Sequence, residues 1–212
     1  SRYTFLRGIM FRWYKKYLKI GIHGIGALII IAVAVLLRIL LIDQGWPGMS
    51  SDEGILGLQA MHIAYRGEFP IFYYGQNYMG TIQAYLGAGM YHLFGVSSFS
   101  LRLGMVLLFA LFLVVMYFLA RLLFTKNIAL ISLALLCFGS TETYMRQLRA
   151  IGGYPETILF GALMLLLASW LALSFHSDVS TADRKKRFIT DGCLGLVIGL
   201  AIWSDMLVLP FV

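Results

Sequence analysis

Residues 22–42 read IHGIGALIIIAVAVLLRILLI, an unbroken apolar run whose one charged residue is Arg38. A run of about 20 apolar residues rises roughly 30 Å as a helix, the thickness of a bilayer's hydrocarbon core. Arg12, Lys15, Lys16 and Lys19 precede it. By the positive-inside rule this places the N-terminal side of the run in the cytoplasm.

Similar runs recur along the chain, and together they predict an all-α polytopic transmembrane protein of about five spans: 22–42, 101–124, 128–144, 157–175 and 191–210. The composition agrees, with 60% hydrophobic and 13% charged residues and a mean hydropathy of +0.82. Soluble domains carry roughly 25% charged residues, so lipid must solvate this chain. The basic segment 2–19 with the first run is too long for a signal peptide and lacks a clear cleavage site, so it reads as a retained anchor.

The charges alternate by side. Arg121, Lys126 and Arg184-Lys185-Lys186-Arg187 fall on the expected cytoplasmic side. Asp43, Asp52, Glu53, Glu68, Glu142 and Glu156 fall outside, with Arg66, Arg102, Arg146 and Arg149. The net charge of +7 therefore flanks spans and forms no basic-aromatic nucleic-acid module. Cys137 and Cys193 lie within apolar runs and indicate neither a disulfide framework nor a CxxC site.

Residues 43–100 form the first outer loop. Within it 52–65 and 76–94 read as amphipathic helices lying along the membrane surface, separated by the aromatic turn Pro70-Ile71-Phe72-Tyr73-Tyr74-Gly75. Asp52 and Glu53 are adjacent carboxylates, and neighbours on a helix face different ways, so they have different jobs. Asp52 suits a general base at the membrane surface. Ser50-Ser51-Asp52-Glu53 equally fits a capping box, with Ser50 as cap and Glu53 as its partner. Arg102, at the start of the second span, either snorkels or faces a lipid phosphate. Arg38 costs roughly 2.5–3.5 kcal/mol at a bilayer centre, which implies snorkelling outward or pairing with a carboxylate.

Between the third and fourth runs lies Arg146-Gln147-Leu148-Arg149-Ala150-Ile151-Gly152-Gly153-Tyr154-Pro155-Glu156. Arg146 and Arg149, three apart, share a face if helical, and two guanidiniums suit a phosphate. A tight inter-helix turn is the competing reading, with Glu156 complementing a helix dipole. Asp205 sits near the outer end of the fifth run. His62 and His92 lack metal-ligand spacing.

The Asp52-Glu53 pair after the first span, Tyr74-Gly75-Gln76-Asn77-Tyr78-Met79-Gly80, Leu101-Arg102-Leu103 and Gly152-Gly153-Tyr154-Pro155-Glu156 together resemble the GT-C glycosyltransferases. The nearest branch is similar to the protein mannosyltransferases and lipid A aminoarabinose transferases. The resemblance implies a multi-span plasma-membrane enzyme that moves a sugar from a polyprenyl-phosphate carrier to a protein, lipid or glycan acceptor outside the cytoplasm. It implies Asp52 as the catalytic acid residue with Glu53 beside it, and it matches Arg102 to the family's second-span arginine. Arg102 is then a candidate for the donor phosphate. The family does not assign Arg146, Arg149 and Glu156; the residues themselves make Arg146 and Arg149 phosphate candidates and Tyr74, Gln76, Tyr78, Tyr154 and Glu156 candidates for further substrate contacts. A divalent ion stays open, since some relatives use one and others do not. Relatives have more spans, so the resemblance also implies that this is the N-terminal part of a longer enzyme. The competing classes are a transporter, which favours charges at the bilayer midplane, and a non-catalytic assembly subunit.

Overall fold

The computed structural model describes residues 21–174 and 181–212. The basic segment 2–19, on which the N-terminal orientation was argued, lies outside them, as does Phe175 at the end of the expected fourth span. The described residues form helices α1 (Ile22–Asp43), α2 (Ser51–Arg66), α3 (Ile82–Phe94), α4 (Ser98–Leu123), α5 (Lys126–Cys137), α6 (Thr141–Leu148), α7 (Tyr154–Ser174) and α8 (Thr181–Ser204), followed by a 3-10 turn, Met206–Phe211. They contain no strand beyond an isolated antiparallel bridge between Phe72 and Gly80. The chain is an all-α, polytopic membrane protein.

Four helical segments are long and apolar enough to cross a bilayer: Ile22–Asp43, Ser98–Leu123, Tyr154–Ser174 and Arg184–Ser204. In α1, Ala27, Ala34, Arg38 and Ile42 face inward, while Ile25, Leu28, Ile29, Val33, Leu36 and Leu40 are exposed. Such a continuous apolar face is untenable in water and is what lipid requires. Helix α4 is the centre, packed by α1, α3, α5 and α7. One core cluster joins Leu56, Ala84, Leu101, Met105 and Leu159, and a second joins Ala34, Phe109, Leu113 and Leu133.

The expected third span, 128–144, is not one helix. The chain turns by 87° between α5 and α6. Phe138 adopts an extended conformation, and the Ser140 hydroxyl caps α6 by accepting from the Thr143 amide. The Tyr144 hydroxyl donates to the Cys137 carbonyl at 2.8 Å, satisfying a helix end that the break would otherwise orphan. The twelve residues of α5 rise only about 18 Å at 1.5 Å each, short of the hydrocarbon core. Five spans are reached only if this bent pair counts as one. The last long helix also stops at Ser204, where the Asp205 carboxylate caps the 3-10 turn by accepting from the Leu207 amide.

Candidate functional site

The start of α2 is set locally. Ser50 Oγ accepts from the Glu53 amide at 3.4 Å and the Ser50 amide donates to Glu53 Oε2 at 3.2 Å, so the capping box is formed. Glu53 does more than cap. Arg102 donates from Nε to Oε1 and from Nη2 to Oε2, both at 2.8 Å, and the Ala150 amide donates to Oε1 at 3.2 Å. Glu53 and Arg102 are 1% and 2% exposed. Four donors therefore converge on one buried carboxylate, and the two-pronged arginine contact is the geometry a guanidinium makes best.

Asp52, one residue earlier, points the other way. It is exposed, and among the described residues none hydrogen-bonds or ion-pairs with its side chain. Arg102, weighed between snorkelling and a lipid phosphate, has its Nε and Nη2 engaged by Glu53.

A second buried knot lies alongside. Gln83 Nε2 donates to Glu156 Oε2 at 2.7 Å, while Gln83 Oε1 accepts from the Gly152 amide at 3.1 Å. Both side chains are fully buried. Glu156 is thus a core partner of Gln83, beyond any role at the start of α7. The loop from Arg149 to Gly153 is stitched at two of its amides, Ala150 to Glu53 and Gly152 to Gln83. Gly152 and Gly153 both have φ near +80°, at 79° and 77°, a backbone that side chains rarely adopt. A Cβ at Gly152 would run into the Met79 sulfur, and one at Gly153 into the Asp205 carboxylate.

Arg146 and Arg149 are not on one helical face. Helix α6 ends at Leu148, and Arg149 is extended at φ −80°, ψ 137°. Arg149 Nε donates to the Gly48 carbonyl at 3.0 Å. Arg146 Nε donates to Glu142 Oε1 at 2.7 Å, with both side chains about half exposed, and its guanidinium lies 4.7 Å from the Tyr154 ring centroid.

The segment 70–80 folds back onto α2. Gln59 Nε2 donates to the Phe72 carbonyl at 2.8 Å, and the Tyr73 amide to the Met79 carbonyl at 2.9 Å. The Tyr74 hydroxyl donates to Glu68 at 2.7 Å and lies 3.0 Å from His62 Nδ1. Its one proton goes to Glu68, so His62 is the donor to the phenol oxygen. Burial, then the Glu68 contact, push the Tyr74 phenol up to about 12. Tyr78 is exposed. Gln76 Oε1 is buried without a hydrogen-bond partner among the described residues, as is the Tyr73 hydroxyl. Burial, then the charge of nearby Asp52, push the Tyr73 phenol up.

The end of α8 closes the cluster. The Gly80 amide donates to the Ser204 carbonyl at 2.9 Å and Trp203 Nε1 to the Ile71 carbonyl at 3.2 Å. A cleft of about 470 Å³ opens elsewhere, at the α5–α6 bend, lined by Leu41, Gln44, Trp46, Gly139, Thr141 and Tyr144. It shares no residue with the carboxylate cluster, which is the better site because there the exposed Asp52 directly adjoins the buried Glu53–Arg102 pair in the chain. Among the described residues no three His, Cys, Asp or Glu side chains gather as a metal-ligand group.

Sequence reasoning did not single out Tyr73, Gln83 or the Ala150 and Gly152 amides. A glutamine inside an apolar stretch, such as Gln83, is the kind of signal that marks a buried polar partner.

No curated protein and no solved structure matches the chain. The model of the dolichyl-phosphate-mannose-protein mannosyltransferases matches residues 80–212, more than half of the sequence. The matched region holds Arg102, the 146–156 loop and Asp205, whereas Asp52, Glu53 and Tyr73 precede it. By this match the chain belongs to the dolichyl-phosphate-mannose-protein mannosyltransferase family.

Proposed function

We propose that this membrane glycosyltransferase moves a sugar from a polyprenyl-phosphate donor to a hydroxyl or amine acceptor on the extracytoplasmic side of the plasma membrane, with Asp52 as the general base. The observation that carries this reading is the division of labour between adjacent carboxylates. Glu53 is buried and saturated by four donors. Asp52 is exposed and has no hydrogen-bond or ion-pair partner among the described residues.

Asp52 takes the acceptor's proton. The acceptor oxygen or nitrogen forms a bond to the anomeric carbon, and the carbon–oxygen bond to the phosphate breaks. The polyprenyl phosphate leaves with the electron pair, which inverts the anomeric configuration in one displacement. The leaving phosphate is already a weak base and needs positive charge more than a proton. Arg149 and Arg146 border the loop and can supply that charge once they exchange Gly48 and Glu142 for phosphate. Arg102 acts through Glu53 as a positioning residue, keeping Asp52 and the Ala150 amide in register. Tyr73, Gln76 and Tyr78 contribute sugar or acceptor contacts. Support for the outer side comes from the charge alternation along the sequence.

The test uses the full chain in membranes with radiolabelled polyprenyl-phosphate mannose, comparing wild type with Asp52→Asn. Loss of a general base costs about 100- to 10,000-fold in rate. A drop of that size with normal expression and folding supports the assignment. Equal transfer by both proteins removes Asp52 from the role, and no transfer by wild type from a panel of such donors removes the donor class.

A further inference from the structure

Arg38 is a buried charge that the proposed reaction does not use. It is 1% exposed and lies in the C-terminal part of α1, five residues before Asp43. No carboxylate of the described residues pairs with it. Its guanidinium carbon sits 3.5 Å from the Phe109 ring centroid on α4 and 4.7 Å from the Tyr144 ring centroid on α6. Nη1 donates to the Ala34 carbonyl at 3.1 Å, and Nη2 donates to Gln147 Oε1 at 2.7 Å. Nε is buried with no partner.

This is an oriented contact. A planar guanidinium has two faces for rings and a fixed fork of donors at its edge, which a lysine ammonium cannot reproduce. Helix α6 depends on such contacts. It has eight residues, of which only Leu148 is buried, and a helix that short is marginal by itself. Besides Leu148, the Tyr144–Cys137 bond, the packing of Tyr144 beside Ile42 and Val106 and the Arg146–Tyr154 contact, Arg38 ties it to α1 through the Tyr144 ring and Gln147. The residues that follow directly are Arg149, Ala150 and Gly152, which the site uses.

We propose that Arg38, through Gln147, is a positioning latch that fixes α6 and thereby the Arg146–Gly153 segment for donor binding. The kinetic part of this inference rests on the transferase reading above, whereas the latch itself does not.

The experiment compares wild type, Arg38→Lys, Gln147→Leu, Gln147→Glu and the Arg38→Lys/Gln147→Leu double variant as full chains in nanodiscs. Amide hydrogen exchange is read at Ala150 and Gly152, and transfer kinetics use polyprenyl-phosphate mannose. Loss of one hydrogen bond to a charged group speeds local exchange about 10- to 100-fold. Arg38→Lys and Gln147→Leu are each expected to show this at 141–153 and not in α4. They lose about 100-fold in kcat/KM for the donor, carried by a higher donor KM. Gln147→Glu keeps an acceptor at the same reach and stays near wild type. The double variant is no worse than either single one, because both break the same contact.

A partly unfolded protein would instead lose kcat at unchanged KM and exchange faster throughout, and that result overturns the latch. So do additive losses in the double variant, or wild-type behaviour of Gln147→Leu. If wild type transfers no sugar, the transferase reading fails while the exchange arm still decides the latch.

Discussion

Arg102 and Arg38 are both buried guanidiniums on span helices, and their surroundings differ completely. Arg102 stands near the N-terminal end of α4 and meets a carboxylate through two 2.8 Å contacts. Arg38 stands near the C-terminal end of α1 and meets two aromatic rings, a backbone carbonyl and a glutamine amide. An ion pair neutralises charge and concentrates the cost of desolvation on two groups that must stay together. Rings and an amide spread a positive charge over weaker contacts and leave its sign uncancelled. The first arrangement locks the start of α2 to α4 and to the Ala150 amide. The second holds a short helix that would otherwise be loosely attached. Charge pairing thus serves as a rigid brace, and ring stacking as an oriented tether.

Glu53→Ala breaks the brace from the acid's side and is the most damaging change. Removing one partner of a buried pair costs about 3–5 kcal/mol, read as loss of unfolding free energy in detergent. Replacing both partners, as in Glu53→Leu with Arg102→Met, recovers only part of that loss. The Ser50 and Ala150 amides still lose their acceptor. Full recovery by the double variant would mean that the brace is no more than an ion pair.

Phe109→Leu sharpens the other side of the comparison. It keeps an apolar side chain in the core and removes the ring that Arg38 faces at 3.5 Å. A desolvated cation–ring contact is worth about 2 kcal/mol, so a comparable loss of stability is expected. A loss no larger than that of a volume-conserving core swap elsewhere on α4 would show that the ring merely fills space.

Glu142→Ala sets the lower bound. Its pair with Arg146 is solvent-exposed and one helical turn long, and such pairs contribute about 1 kcal/mol or less. A larger loss would move Arg146 out of the class of available surface cations and weaken its place in donor binding.

The capping box at Ser50 and Glu53 was legible because it joins residues three apart. The span-forming runs were legible because length and hydropathy are local properties. The bend within the third run was not legible, for a local reason that hydropathy does not register. Phe138, Gly139 and Ser140 keep the stretch apolar enough to pass, while the Ser140 cap and the Tyr144–Cys137 bond support a bend of 87°. Arg38 was expected to snorkel or find a carboxylate, and it does neither.

The sequence by itself determined that this is an all-α membrane protein, which segments are apolar enough to cross, and where an acid pair and an arginine-rich loop fall between them. Tertiary structure alone decided which polar groups meet. Glu53 and Arg102 are 49 residues apart, Gln83 and Glu156 are 73, and Arg38 and Gln147 are 109. The partner of a buried polar group is set by the rotation and depth of two packed helices, and many distant van der Waals contacts fix those together. Asp52 and Glu53 look alike in the sequence, and packing against α4 buries one and leaves the other exposed.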